Sequence, residues 1–157
     1  MTQPPHPPTI DDELDLGDLS KSLGFLVRLA QVRFYDIFFE AFDGQDIRPG
    51  IITLLWVIDL NPGARQGALA RVLNIKPAHM TKTVQRLVST GYVDRHVPPE
   101  DRRSVMLSLT DAGKAQLETL RQNFMQVQAS EQIGLTETET EHLRVLLTKL
   151  AFPKDRP

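Results

Sequence analysis

Between Leu19 and Phe42 apolar residues recur at steps of three and four: Leu23, Leu26, Ala30, Phe34, Ile37, Phe38 and Ala41 form one helical stripe. Leu29, Val32 and Phe39 widen that stripe well beyond a single face, so the helix it predicts needs more than one surface to pack against. Gly44, just past its end, is a stop signal. A second helix opens at Pro49, a favoured first-turn residue, and runs through Ile51, Ile52, Leu54, Leu55 and Ile58 to the breaker Asn61-Pro62-Gly63. Trp56 and Val57 make it apolar nearly all round, which predicts a central, buried position. Two short helices follow. The first spans about Gln66 to Leu73, with Leu69, Ala70, Val72 and Leu73 inward. Asn74-Ile75-Lys76 is a turn, Pro77 opens the second, and Gly91 ends it after about Thr90.

The period then shortens. Tyr92–His96 and Ser104–Leu109 read as strands, joined by the polar, proline-bearing Val97-Pro98-Pro99-Glu100-Asp101. Together they predict a β-hairpin with a stiffened tip, a wing. Thr110 is placed to cap the next helix, with Asp111 adding negative charge at its positive end. That helix carries Ala115, Leu117, Leu120, Phe124 and Val127 and fades by Gly134. Thr136-Glu137-Thr138-Glu139 is a capping box for a last helix that reaches about Phe152 and is ended by Pro153. Residues 1–17 are rich in proline and acid and show no period, as expected of a flexible arm. The expected fold class is mainly α with a small β-hairpin wing.

The chain has 157 residues, 41% of them hydrophobic, enough for an ordinary domain with its own core. Its longest apolar run, Ile51–Ile58, is broken by Thr53 and falls far short of the ~20 residues needed to span a bilayer. The N-terminus has neither a basic start nor an apolar stretch, so a cytoplasmic protein without a signal peptide or membrane contact is expected. The chain contains no cysteine, which excludes disulfides, thiolate metal sites, cysteine nucleophiles and thiol redox sensing. His6, His79, His96 and His142 lack a metal-ligand spacing, and neither a metal nor a cofactor is expected.

The net charge of −2 conceals an asymmetry: residues 1–47 carry −6, whereas residues 63–106 carry +5. A concentrated basic segment in a mildly acidic chain suits a localised nucleic-acid-binding module, although a solvated basic face gives the same pattern.

On the helix opened by Pro77, Met80, Val84, Leu87 and Val88 fall on one side and are expected to face the core. The opposite side holds Ala78, Lys82, Gln85 and Ser89, flanked by His79, Thr81 and Arg86. Small residues near the start of such a helix allow close approach in a major groove ~12 Å wide. Lys82 and Arg86 suit phosphates, while His79, Thr81 and Gln85 suit base edges, glutamine being matched to adenine. Taken alone, the pattern equally describes an amphipathic surface helix. The wing that follows shifts the balance. Arg95, Arg102 and Arg103 surround its tip, and an arginine there can enter a narrow minor groove. Asp101 beside them is suited to orienting an arginine by a charge-assisted hydrogen bond, or to a plain surface ion pair worth ~0–1 kcal/mol.

The stretches Leu69-Ala70-Arg71-Val72-Leu73-Asn74-Ile75, Met80-Thr81-Lys82-Thr83-Val84-Gln85-Arg86-Leu87, Gly91-Tyr92-Val93-Asp94-Arg95 and Asp101-Arg102-Arg103-Ser104-Val105-Met106-Leu107-Ser108-Leu109-Thr110-Asp111-Ala112-Gly113 resemble the MarR family of multiple-antibiotic-resistance-type regulators. The Asp-Arg-Arg wing followed by Leu-Thr-x-x-Gly is the specific part of this resemblance, which extends over about residues 20–150.

The resemblance implies a winged helix-turn-helix homodimer whose first and last two helices interlock, and a regulator of transcription, expected to be a repressor, that binds double-stranded DNA at a pseudo-palindromic operator. It divides the chain into an arm (1–17), a dimerisation helix (18–47), a winged helix-turn-helix domain (48–109) and C-terminal dimerisation helices (110–157). It places Ala78, His79, Thr81, Lys82, Gln85 and Arg86 on the recognition helix and Arg102 and Arg103 at the wing, with Asp101 as their orienting partner. Lys76-Pro77-Ala78 departs from the serine usual at the start of that helix, so no operator sequence carries over. Many members also bind a small, often aromatic and anionic effector between the dimerisation and winged regions. The candidates here are Arg28, Arg33, Phe34, Tyr35, Phe38 and Trp56, though Phe34, Phe38 and Trp56 equally suit core positions. A winged helix used only for protein interaction or dimerisation is the alternative, and the basic helix and wing count against it. No phosphate-binding loop, metal spacing or nucleophile elbow points to an enzyme.

Overall fold

Ile52, Leu54, Leu55 and Ile58 have essentially no exposed surface, and the helix that carries them, α2 (Pro49–Leu60), lies at the centre of the unit formed by residues 42–125. Full burial of such a side chain contributes about 1.5–3 kcal/mol relative to leaving it in water. The computed structural model describes residues 14–44, 47–101, 104–129 and 133–153. It divides into two compact units, one of residues 42–125 and one of residues 1–41 with 126–157.

In the first unit α2 is followed by a two-residue strand β1 (Ala64–Arg65), α3 (Gln66–Val72), α4 (Pro77–Ser89), β2 (Val93–His96), β3 (Met106–Leu109) and α5 (Asp111–Gln126). The sheet is antiparallel with order β1-β3-β2; Val93 lies opposite Leu109, Arg95 opposite Leu107, and Ala64 also opposite Leu107. Leu107 and Leu109 alternate inward along β3 with Val93 from β2, and β3 packs on α2. Leu69 and Ala70 of α3, Met80, Val84 and Leu87 of α4, and Leu117 and Leu120 of α5 complete the interior.

The hairpin is a three-stranded sheet, because β1 joins it. Two residues are too few to show a period, so β1 is silent in the sequence. Val72 and Val88 also differ from expectation: both are exposed rather than inward. At about 100° per residue Val72 lies roughly 110° from the midline between Leu69 and Ala70, and Val88 about 80° from Met80. Both therefore sit at the edge of the buried stripe, in the last turn of their helices.

In the second unit a 3-10 turn (Gly17–Lys21) leads into α1 (Leu23–Ala41), and α6 (Glu137–Ala151) closes the chain. The first helix starts later than its apolar pattern suggests, because Ser22 has extended backbone and breaks the path from the turn. Of the α1 stripe only Ile37 and Phe38 are buried; Leu23 and Leu26 are exposed, and so are Leu29, Val32 and Phe39. No described residue of α6 is buried, although Leu146, Leu147 and Leu150 lie on it. Its start is a formed capping box: the Glu139 N–H donates to Thr136 Oγ1 at 3.3 Å and the Thr136 N–H donates to Glu139 Oε2 at 2.9 Å.

Candidate nucleic-acid interface

Met80, Val84 and Leu87 anchor α4 to the core at 0, 2 and 3% exposure, which turns Ala78, His79, Thr81, Lys82, Gln85, Arg86 and Ser89 outward, all of them exposed. The N-terminus of α4 has Pro77 at its first position and no side-chain cap hydrogen bond at Lys76, so the positive end of the helix dipole there is not capped by a side chain. The recognition-helix candidates thus share one surface, as their spacing predicts.

The far end of α4 is fixed by backbone. Gly91 takes φ +75°, the Gly91 N–H donates to the Val88 carbonyl at 3.0 Å, and the Tyr92 N–H donates to the Leu87 carbonyl at 3.0 Å. This is a Schellman closure, which needs a residue that tolerates the left-handed region. Thr110 fastens it to the next helix. Its hydroxyl donates to the Gly91 carbonyl at 2.6 Å, its N–H donates to the Tyr92 carbonyl at 3.1 Å, and its Oγ1 accepts the Gly113 N–H at 3.0 Å. Thr110 is therefore both the cap of α5 and the tie to the end of α4. A Cβ on Gly113 would lie 2.0 Å from the Tyr92 carbonyl oxygen, so only glycine fits there. The spacing Leu-Thr-x-x-Gly follows from this one junction.

At the other side of the interface the Gly63 N–H donates to the Leu107 carbonyl and the Gln66 N–H to the Val105 carbonyl, both at 2.8 Å, so the start of α3 is pinned to the wing. In the wing loop the Ser104 N–H donates to the Asp101 carbonyl at 3.0 Å, and the Ser104 hydroxyl donates to the Asp101 carboxylate. Arg65 Nη2 lies 3.9 Å from the same carboxylate. Arg102 and Arg103 lie outside the described residues. Arg95 is exposed on β2. Arg65, Arg71, Lys76, Lys82, Arg86 and Arg95 give the α3, α4 and β2 surfaces their positive charge, against Asp94, Glu100 and Asp101.

A 23-base-pair DNA duplex is bound by a solved transcriptional repressor, CouR, to which this chain is 30% identical with a TM-score of 0.75, over 91% of this chain and 99% of that one. A mutant E. coli MarR complexed with operator DNA is 29% identical with a TM-score of 0.74, over 87% and 99%. In sequence, a putative transcriptional regulatory protein for the hcr operon of Thauera aromatica is 30% identical over 139 residues, 88% of this chain and 84% of that protein. The MarR family profile matches residues 49–105. The chain belongs to the MarR family. It is a DNA-binding transcriptional regulator with a winged helix-turn-helix fold.

Within this MarR-family chain the effector candidates fall in both units. Arg28 and Tyr35 are exposed on α1, Arg33 and Phe34 are half-buried, and Phe38 is buried with its ring edge-on to Phe39 at 5.6 Å. Trp56 on α2 is half-buried and edge-on to Phe124 at 6.5 Å. The cation beside it is Arg121 of α5, 5.1 Å from the indole centroid. Arg121 carried no signal in the sequence, because it meets Trp56 only through the packing of α5 near α2. Arg65 and Gln66 were also missed, since they lie on or beside the two-residue strand β1. No helix among the described residues is long and apolar enough to cross a membrane, and they contain no cluster of metal-ligating side chains.

Proposed function

We propose that this MarR-family regulator acts in the cytoplasm as a homodimeric repressor, holding a pseudo-palindromic operator with two α4 helices and two wings. The observation that carries the reading is the outward polar and basic face of α4, backed by Met80, Val84 and Leu87. Lys82 and Arg86 then neutralise phosphates, Ala78 admits the groove edge, and His79 and Gln85 meet bases. Arg102 and Arg103 serve the minor groove, with Asp101 holding the wing loop through Ser104 and Arg65. The reading involves no catalytic step.

The homodimer is supported by apolar surface that a single chain leaves in water. Leu23, Leu146, Leu150 and Phe152 are 77, 64, 66 and 75% exposed. Apolar surface on this scale marks an interaction site. Sedimentation at micromolar concentration is expected to give a dimer, and Leu146→Glu with Leu150→Glu a monomer that binds DNA weakly.

The effector is a small aromatic anion, for which Arg121 and Trp56 offer a cation and a ring. Its release of DNA requires preference for a dimer in which the two α4 helices no longer match major grooves ~34–36 Å apart.

Anisotropy titrations with duplexes enriched from a random library test the DNA reading. A steep fall of affinity with salt is expected, each neutralised phosphate adding ~0.9 to the log–log slope. Affinity independent of salt would overturn it. Trp56 is the sole tryptophan, so its fluorescence reports effector binding in a screen of aromatic acids and their thioesters, alongside the rise in melting temperature.

A further inference from the structure

Gln66 is the first residue of α3, and its two ends are held by different parts of the interface. Its N–H donates to the Val105 carbonyl of the wing loop at 2.8 Å. Its side-chain Nε2 donates to Thr81 Oγ1 on α4 at 3.2 Å. Thr81 in turn donates its own hydroxyl proton to the Pro77 carbonyl at 3.0 Å. A hydroxyl has a single proton, so Thr81 is left with acceptor capacity alone on the side facing Gln66. With its proton directed at the Pro77 carbonyl, Thr81 presents an accepting oxygen to Gln66. That oxygen is an anchor for the Gln66 carboxamide.

A glutamine amide has two N–H donors and a carbonyl oxygen. One N–H is spent on Thr81; the other N–H and Oε1 remain. That donor–acceptor pair is the one adenine matches through N7 and N6. Gln66 and Thr81 line the same open cleft, of about 540 Å³, with Gly67, Arg71 and Lys76. Gly67 faces open space where a Cβ would stand, so it adds no bulk beside Gln66. Arg71 and Lys76 supply charge for phosphates, which leaves a neutral, two-sided group suited to a base.

We infer that Gln66 is a second base-reading side chain, aimed by Thr81, and that it adds a preference for adenine to the readout by α4. The inference rests on α4 being the recognition helix. It makes Gln66 a specificity determinant and Thr81 a positioning residue.

The test is selection of bound duplexes from a library with a randomised core, by the wild-type chain, Gln66→Ala, Thr81→Val, Thr81→Ser and the double variant Gln66→Ala with Thr81→Val. Gln66→Ala keeps the N–H that meets Val105, so its melting temperature is expected to match wild type. Wild type is expected to enrich a motif with an adenine in each half-site that Gln66→Ala accepts with any base, a loss of roughly tenfold in discrimination. Thr81→Val blurs the same position, the double variant goes no further than Gln66→Ala, and Thr81→Ser keeps the preference. Three results would overturn the inference while sparing the DNA-binding reading: an unchanged motif in Gln66→Ala; uniform weakening on all sequences with a shallower salt slope, which marks a phosphate contact; or Thr81→Val acting at a different position. A wild-type chain that enriches no motif overturns both.

Discussion

Gly113 sits against the Tyr92 carbonyl with no room for a side chain, a Cβ there falling 2.0 Å from the oxygen. The contact sets how closely the first turn of α5 approaches the end of α4, and Thr110 locks the approach with two hydrogen bonds across it. Gly113→Ala must push two backbone segments apart. We expect a loss of at least 1–3 kcal/mol in urea unfolding, the range for overpacking. Thr110→Val, which removes the cap and the tie to Gly91 but adds no bulk, is expected to cost about 1–2 kcal/mol. A Gly113→Ala chain as stable as wild type would show that the junction gives way freely.

Met80→Ala and Val88→Ala separate the buried stripe of α4 from its edge. Met80 is fully buried, and its truncation is expected to cost 2–5 kcal/mol. Val88 is 38% exposed, and its truncation is expected to stay within about 0.5 kcal/mol. Denaturant midpoints for the two variants decide the matter.

These two residues also mark what the sequence disclosed. The positions at i, i+4 and i+7 on α4 faced inward as the period requires, because a 13-residue helix repeats its stripe often enough to define it. Val88 and Val72 did not, since the edge of a stripe is set by which neighbours reach it and not by spacing. The wing hairpin, the Thr110 cap and the Thr136 capping box were equally legible, each being a local pattern. The strand Ala64–Arg65 was not, nor were the Gln66–Thr81 and Arg121–Trp56 pairs: each joins residues 15 or more apart in the chain, and their pairing depends on tertiary packing.

Lys82 and Gln85 lie on the same exposed face, and the proposed reading gives them different tasks. Lys82→Ala is expected to weaken binding evenly across sequences and to lower the salt slope by about 1, as loss of one phosphate contact does. Gln85→Ala is expected to cost about 1–3 kcal/mol on the preferred duplex and little on others, with an unchanged slope. Anisotropy titrations at several salt concentrations, on preferred and scrambled duplexes, read both.

Acid should loosen the start of α6. The Thr136 N–H and hydroxyl both donate to the Glu139 carboxylate and hold its pKa below the usual value. A group depressed in the folded state stabilises fully above its unfolded value and loses that contribution as pH falls through the folded one. The first turn of α6 is therefore expected to hold at neutral pH and to fray below the ordinary carboxylate range. Amide exchange at Glu139 followed from pH 6 to pH 3 measures it, and Glu139→Gln should remove the pH dependence.

The tie between Thr110 and Gly91 also closes the hairpin at its base, ahead of anything at the tip. The end of α4 is thus held from below the loop, by Thr110 and Gly91. A change confined to residues 97–100 therefore leaves the aim of the helix untouched, and evolution or an engineer can vary what that loop touches separately from what the helix touches.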